Sequence, residues 1–221
     1  MEQTKEKEIL SKITEAFIIA ILIMFPLLVD STGFFKILEF KYRCFLVINA
    51  VYISSIAITI FYFLLFKETN IFKKLKLGKI HIALGAFWII NVISTFISPY
   101  FKKYNLFIGV GRAEGLISIS LYALSFFNIT MFGKFKRRYI LYFSISSILI
   151  NFISILQYIG FNPFNMYQDG IGTHNVSFIG TIGNVDFISA LYCILLTVPM
   201  AAYVFLEDNS KFEKIIYLIS I

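Results

Sequence analysis

A chain of 221 residues that is 58% apolar and only 15% charged, with a mean hydropathy of +0.80, has too little polar side chain to cover a soluble core. That composition excludes an ordinary soluble domain. The net charge of +7 does not signal nucleic acid either, because the basic residues lie in short stretches between apolar runs, the pattern of membrane orientation signals. The expected partner is a lipid bilayer.

The first twelve residues, MEQTKEKEILSK, carry charges of both signs, and no small-residue cleavage site follows the apolar run after them. This reads as a tail leading into a retained first span, not as a signal peptide. A hydrocarbon core about 30 Å thick needs about 20 apolar residues in helix. Runs of that kind predict spans near 13–29, 44–66, 80–98, 115–132, 139–160 and 186–206, with a seventh run, 212–221, truncated at the last residue. The runs are continuously apolar instead of alternating, which excludes a transmembrane β-barrel. Backbone groups inside lipid must pair within their own segment, so the expected fold is all-α: a polytopic transmembrane helical bundle forming a single membrane domain over 13–221, of about six spans and a truncated seventh.

Of the 20 Lys and Arg, fourteen fall in the tail and in the second, fourth and sixth connections, and six fall in the first, third and fifth. That bias places the N-terminus in the cytoplasm and the odd-numbered connections outside. Asn49, Asn91, Asn151 and Gln157 are the main polar side chains within the spans, and they are expected to make packing contacts between helices. Glu15 and His81 lie near the inner ends of their spans. Cys44 and Cys193 show neither metal-ligand spacing nor a disulfide framework, so no metal and no cofactor is expected.

Two outward-facing stretches carry unusual chemistry. The first, Ile108-Gly109-Val110-Gly111-Arg112-Ala113-Glu114-Gly115, opens the fourth span. A guanidinium at this depth suits phosphate, since its planar fork makes bidentate contacts. Glu114 would orient it or act as a base, and Gly111 and Gly115 would let the backbone turn tightly. The plainer reading has Arg112 reaching to the interface and Glu114 capping the helix N-terminus. The second stretch, 161–185, is a long connection whose DGIGTHNVSFIGTIGNVD contains His174, Gly183 and Asn184 and runs into Asp186 at the start of the sixth span. It reads either as a folded loop over the membrane face or as a glycine-rich turn in which Asn184 caps the helix. His174 has the side chain best tuned for proton transfer, although a lone loop histidine is more often incidental.

Taken together, GRAEGLISISLYALSFF resembles the Gly-Arg-x-Glu-Gly segment that opens a membrane helix in O-antigen ligase and polymerase-like proteins, especially those of Firmicutes. GTIGNVDFISALYCILLTVPMA resembles that family's Gly-Thr-x-Gly-Asn-x-Asn/Asp-Phe segment entering a later helix. The likeness covers roughly 96–202. It implies a glycan transferase whose substrate is a polyprenyl-diphosphate-linked saccharide on the outer leaflet of the cytoplasmic membrane, needing neither nucleotide sugar nor metal. By resemblance Arg112 would contact the diphosphate and Glu114 would orient it. The family has more spans and a late external loop carrying a functional histidine. His174 lies in an earlier loop and does not inherit that role. The chain is therefore expected to be the N-terminal part of such a protein, with a separately encoded C-terminal half as partner and without activity alone. Two other readings stay open: a transport or export component, and a non-catalytic membrane remnant.

Overall fold

A computed structural model describes residues 2–30, 36–66, 77–101, 104–109, 111, 113–164, 166 and 179–221. All regular structure among them is helical: α1 (Glu2–Ile19), a π-helical turn (Ala20–Met24), α2 (Phe25–Leu27), α3 (Ile37–Phe66), α4 (Lys79–Ile97), α5 (Leu116–Phe132), α6 (Arg138–Tyr158), α7 (Val185–Phe205) and α8 (Lys211–Ser220). Five helical stretches are long and apolar enough to cross a membrane: Glu6–Leu27, Ile37–Phe66, Lys79–Ile97, Arg138–Tyr158 and Asp186–Phe205. The shorter apolar helix Leu116–Phe132 accompanies them. This is an all-α helical membrane protein. Helix α4 buries none of its residues within the chain, so its apolar surface needs lipid or protein around it.

Helix ends near charges differ from the apolar runs in the sequence. Helix α3 starts at Ile37, seven residues before the run at 44. Its first turns can hold charges because Glu39 pairs with Arg43 one turn on. The π turn before α2 has a local cause in Pro26, which offers no backbone N–H and crowds the carbonyl four residues back. Widening the register relieves that crowding, and the Phe25 N–H reaches Ala20 O five residues back.

The chain divides into two compact units, and the divisions fall inside α1, inside α3 and between α5 and α6. The first unit comprises 1–17 and 46–134. Polar side chains join its helices. Tyr52 OH donates to Thr14 Oγ1 at 3.2 Å, while its ring stacks on Phe17 with centroids 4.0 Å apart. Ser125 Oγ donates to Asn49 Oδ1 at 2.6 Å, and Trp88 Nε1 donates to Ser120 Oγ at 2.9 Å. His81 accepts from the Gly78 N–H at 3.1 Å and bonds Thr130 Oγ1 at 2.9 Å, so its ring caps the start of α4 and bridges to α5.

The second unit comprises 18–45 and 135–221. Helix α6 buries Ser144, Ser147, Ile150, Ser154 and Gln157, a stripe at three- and four-residue spacing. The small serines let neighbouring backbones approach, as membrane helices without a hydrophobic driving force require. Ile150 packs with Ile188 and Leu195 of α7 in a buried cluster. Arg137 sits beside Glu213 (Nε to Oε1, 3.3 Å) and donates to Asn209 Oδ1, which ties the start of α6 to the α7–α8 connection. Ser210 and Glu213 complete a reciprocal cap at the start of α8.

Candidate functional site

The two glycine-rich segments belong one to each unit, and each is built by its own contacts. In the first unit, residues 105–109 fold back on the start of α5. The N–H groups of Gly115, Leu116 and Ile117 donate to the carbonyls of Ile108, Leu106 and Phe107 at 2.9, 3.1 and 3.0 Å. A helix N-terminus leaves its first N–H groups without partners inside the helix. Here the preceding loop supplies acceptors, and no side chain caps Gly115. Glu114 is therefore not the cap that the plainer sequence reading gave it; its side chain is exposed immediately before the helix. Asn105 Oδ1 accepts from the Ile108 N–H at 3.3 Å, and Ser118 Oγ donates to Ala113 O at 2.6 Å, closing the fold on both sides.

The glycines of this segment serve different ends. A Cβ on Gly115 would stand 2.4 Å from Phe107 O and 2.5 Å from Gly109 N, so the backbone passes where a side chain has no room. Gly111 has open space around it and instead takes φ +78°. Ala113 also sits in the left-handed region, with φ 55°, where a Cβ is strained. A non-glycine residue held there, two positions after one such glycine and one before Glu114, marks a loop whose shape is imposed by its surroundings. Arg112 lies outside the described residues.

In the second unit, Ile179–Gly183 forms a tight turn before α7. The N–H groups of Ile182 and Gly183 donate to Ile179 O at 3.1 and 3.0 Å. Three independent contacts fasten the turn. Gln157 of α6 acts as a peptide mimic: its Nε2 donates to Gly180 O at 2.9 Å and its Oε1 accepts from Gly180 N–H at 2.7 Å. Thr181 Oγ1 donates to Pro26 O at 2.6 Å. Gly183, at φ +83°, packs so closely that a Cβ would lie 2.4 Å from Ile37 Cγ2. Asn184 Oδ1 then accepts from the N–H groups of Asp186 and Phe187 at 2.8 and 3.2 Å, the cap expected of an Asn before a helix. Asp186 is exposed in the first turn of α7. His174 lies outside the described residues.

A third feature of this end of the second unit was not singled out in the sequence. Lys41 Nζ donates to the carbonyls of Phe25 and Pro26 at 3.3 and 3.0 Å and lies 5.5 Å from the Phe25 ring centroid. The Pro26 carbonyl thus receives both Lys41 and Thr181. These are end carbonyls of α2, where the helix dipole is negative; Phe25 O keeps the Leu28 N–H at 3.4 Å as a backbone donor. In the sequence Lys41 looks like one more orientation charge, because its partners stand fifteen and sixteen residues away with no spacing to announce them. Among the described residues no group of His, Cys, Asp and Glu is arranged to hold a metal. Comparison of the chain with protein-family models, with curated proteins and with solved structures finds no match.

Proposed function

We propose that this chain belongs to a membrane glycan ligase or polymerase that transfers saccharide from a polyprenyl-diphosphate carrier at the outer face of the cytoplasmic membrane. The observation that carries this reading is the build of the two motif segments. Gly115, Gly180 and Gly183, which hold the resemblance, each stand where a Cβ would meet another atom within 2.7 Å. Each segment turns tightly and then opens an apolar helix, which suits a backbone brought close to a lipid headgroup. In the proposed reaction the bond between the sugar's anomeric carbon and the diphosphate oxygen breaks. The acceptor oxygen bonds that carbon, and the acceptor's proton passes to a base. Arg112 stabilises the charge left on the diphosphate, the kind of electrostatic contribution that often dominates such catalysis, and Glu114 orients it.

The test is profiling of envelope glycan in cells expressing the protein in its full-length context. Arg112→Ala is expected to lower transfer by about a hundredfold or more, on the scale of removing one preorganised charge contact. Arg112→Lys should recover only part, because an ammonium lacks the bidentate fork. Unchanged transfer in Arg112→Ala would remove the proposed role.

The orientation has its own test. In a Cys44→Ser, Cys193→Ser background, Glu114→Cys and Asp186→Cys are both expected to react with a membrane-impermeant maleimide added to intact cells. Ser210→Cys should react only after permeabilisation. Labelling of Glu114→Cys and Asp186→Cys from opposite sides would contradict the outward placement of one of the two stretches.

A further inference from the structure

We propose that Lys41 is the cationic contact for a phosphate group carried by a membrane lipid. Three observations converge on it. First, the ammonium is half-buried and held by neutral partners only: two backbone carbonyls and an aromatic face. The nearest acid on its own helix, Glu39, is engaged by Arg43. Among the described residues no carboxylate pairs with Lys41. Carbonyl dipoles orient the ammonium but supply no counter-charge, in a site partly withdrawn from water.

Second, its depth matches lipid phosphate. Helix α3 runs Ile37–Phe66, thirty residues, which at 1.5 Å per residue is about 45 Å. The stretch from Cys44 onward has no charged side chain and is long enough to fill a hydrocarbon core of about 30 Å. The charged residues Glu39, Lys41 and Arg43 all precede it. Lys41 therefore stands three residues, about 4.5 Å along the axis, outside the hydrocarbon edge, within the headgroup layer. Third, an ammonium has three N–H donors and the two carbonyls take two of them, which leaves one for an anionic oxygen. The phosphate belongs either to a bilayer phospholipid or to a polyprenyl diphosphate. The proposal holds whether or not the chain transfers glycan.

The test uses the full chain in detergent micelles, with native mass spectrometry to titrate phosphatidylglycerol, polyprenyl diphosphate and diacylglycerol, which lacks the phosphate. Lys41→Gln keeps an amide donor for the carbonyls but removes the charge. It is expected to weaken binding of one or both phosphate lipids by roughly tenfold, the scale of a lost charge-assisted hydrogen bond, and to leave diacylglycerol unchanged. Lys41→Arg should bind within about threefold of the unaltered protein. Thr181→Val loses a bond to the same Pro26 carbonyl without losing charge, so it should lower the melting temperature and keep the lipid affinity. A loss confined to one phosphate lipid supports the proposal and names the source. Equal binding of both phosphate lipids by Lys41→Gln and the unaltered protein overturns it, as does an equal loss of diacylglycerol. Should Lys41→Gln fail to fold, acylation of Lys41 in the unaltered protein by a water-soluble amine reagent decides. Protection by a phosphate lipid but not by diacylglycerol supports the contact, and no protection by either phosphate lipid refutes it.

Discussion

Gly115→Ala is expected to destabilise the protein by about 3 kcal/mol, near the upper end for an overpacked site, while Gly111→Ala should cost only about 1–2 kcal/mol. The two glycines flank Arg112 and look equivalent in the sequence. At Gly115 the backbone conformation, φ −87°, is open to any residue, so the cost is wholly steric. The added Cβ would lie 2.4 Å from Phe107 O, the acceptor for the Ile117 N–H. The obstacle is main chain, which has no rotamer to retreat into. Relief requires Leu106–Ile108 to move off the start of α5, which frees up to three helix N–H groups at once. At Gly111 nothing lies within 4 Å of the Cβ, so only the left-handed φ is penalised. Thermal unfolding of the two variants in one detergent separates these causes. Equal, small shifts would mean that the loop does not pack against α5 in this way.

The same contrast shows how far the sequence can be read. Fold class and helix order were legible because an unbroken apolar run of about twenty residues has few solutions in lipid. The starts of α1 and α3 were not. A charge near a span end reads as the end of the helix, yet Glu39, Lys41 and Arg43 all lie inside α3: Glu39 and Arg43 pair one turn apart, and the fold brings Lys41 to the carbonyls of Phe25 and Pro26. Asn184 was legible as a cap, because an Asn immediately before a helix accepts from the N–H groups two and three residues on, a local mechanism. The plainer reading of Glu114 as a cap met no hydrogen bond, because the acceptors at the start of α5 are backbone carbonyls, which every residue carries and no sequence marks. Lys41 and Thr181 were illegible as a pair for a related reason: they meet on the carbonyl of Pro26, 155 residues from Thr181 along the chain. Asn49 was expected to make a helix–helix contact, and it does so through Ser125.

Gln157→Leu is expected to cost about 3 kcal/mol, since it strands a buried N–H and a buried C=O that each carry a penalty of about 1–3 kcal/mol when unpaired. Gln157 was read as a packing residue, and it is one of an exacting kind. Its amide has one donor and one acceptor aimed at the two polar groups of a single residue, Gly180, at 2.9 and 2.7 Å. Leucine fills a similar volume, so the variant reports on hydrogen bonding and leaves little cavity. Both Gln157 and Gly180 are buried, and water does not readily replace the lost amide. The effect should also be local. With Gly180 released, Thr181 loses the geometry that points its hydroxyl at Pro26, and hydrogen exchange at the amides of Ile182 and Gly183 should accelerate more than exchange in the middle of α6. Unchanged thermal stability together with unchanged exchange at those two amides would show that the turn before α7 is held by Thr181 and the Gly183–Ile37 contact alone. A fall in stability with uniform exchange would mean that Gln157 supports α6 in general and not the glycine turn. The expected pattern makes the turn a part fitted from three directions, which is what a segment presenting Asn184 and Asp186 at a membrane helix's mouth requires if its position is to be reproducible.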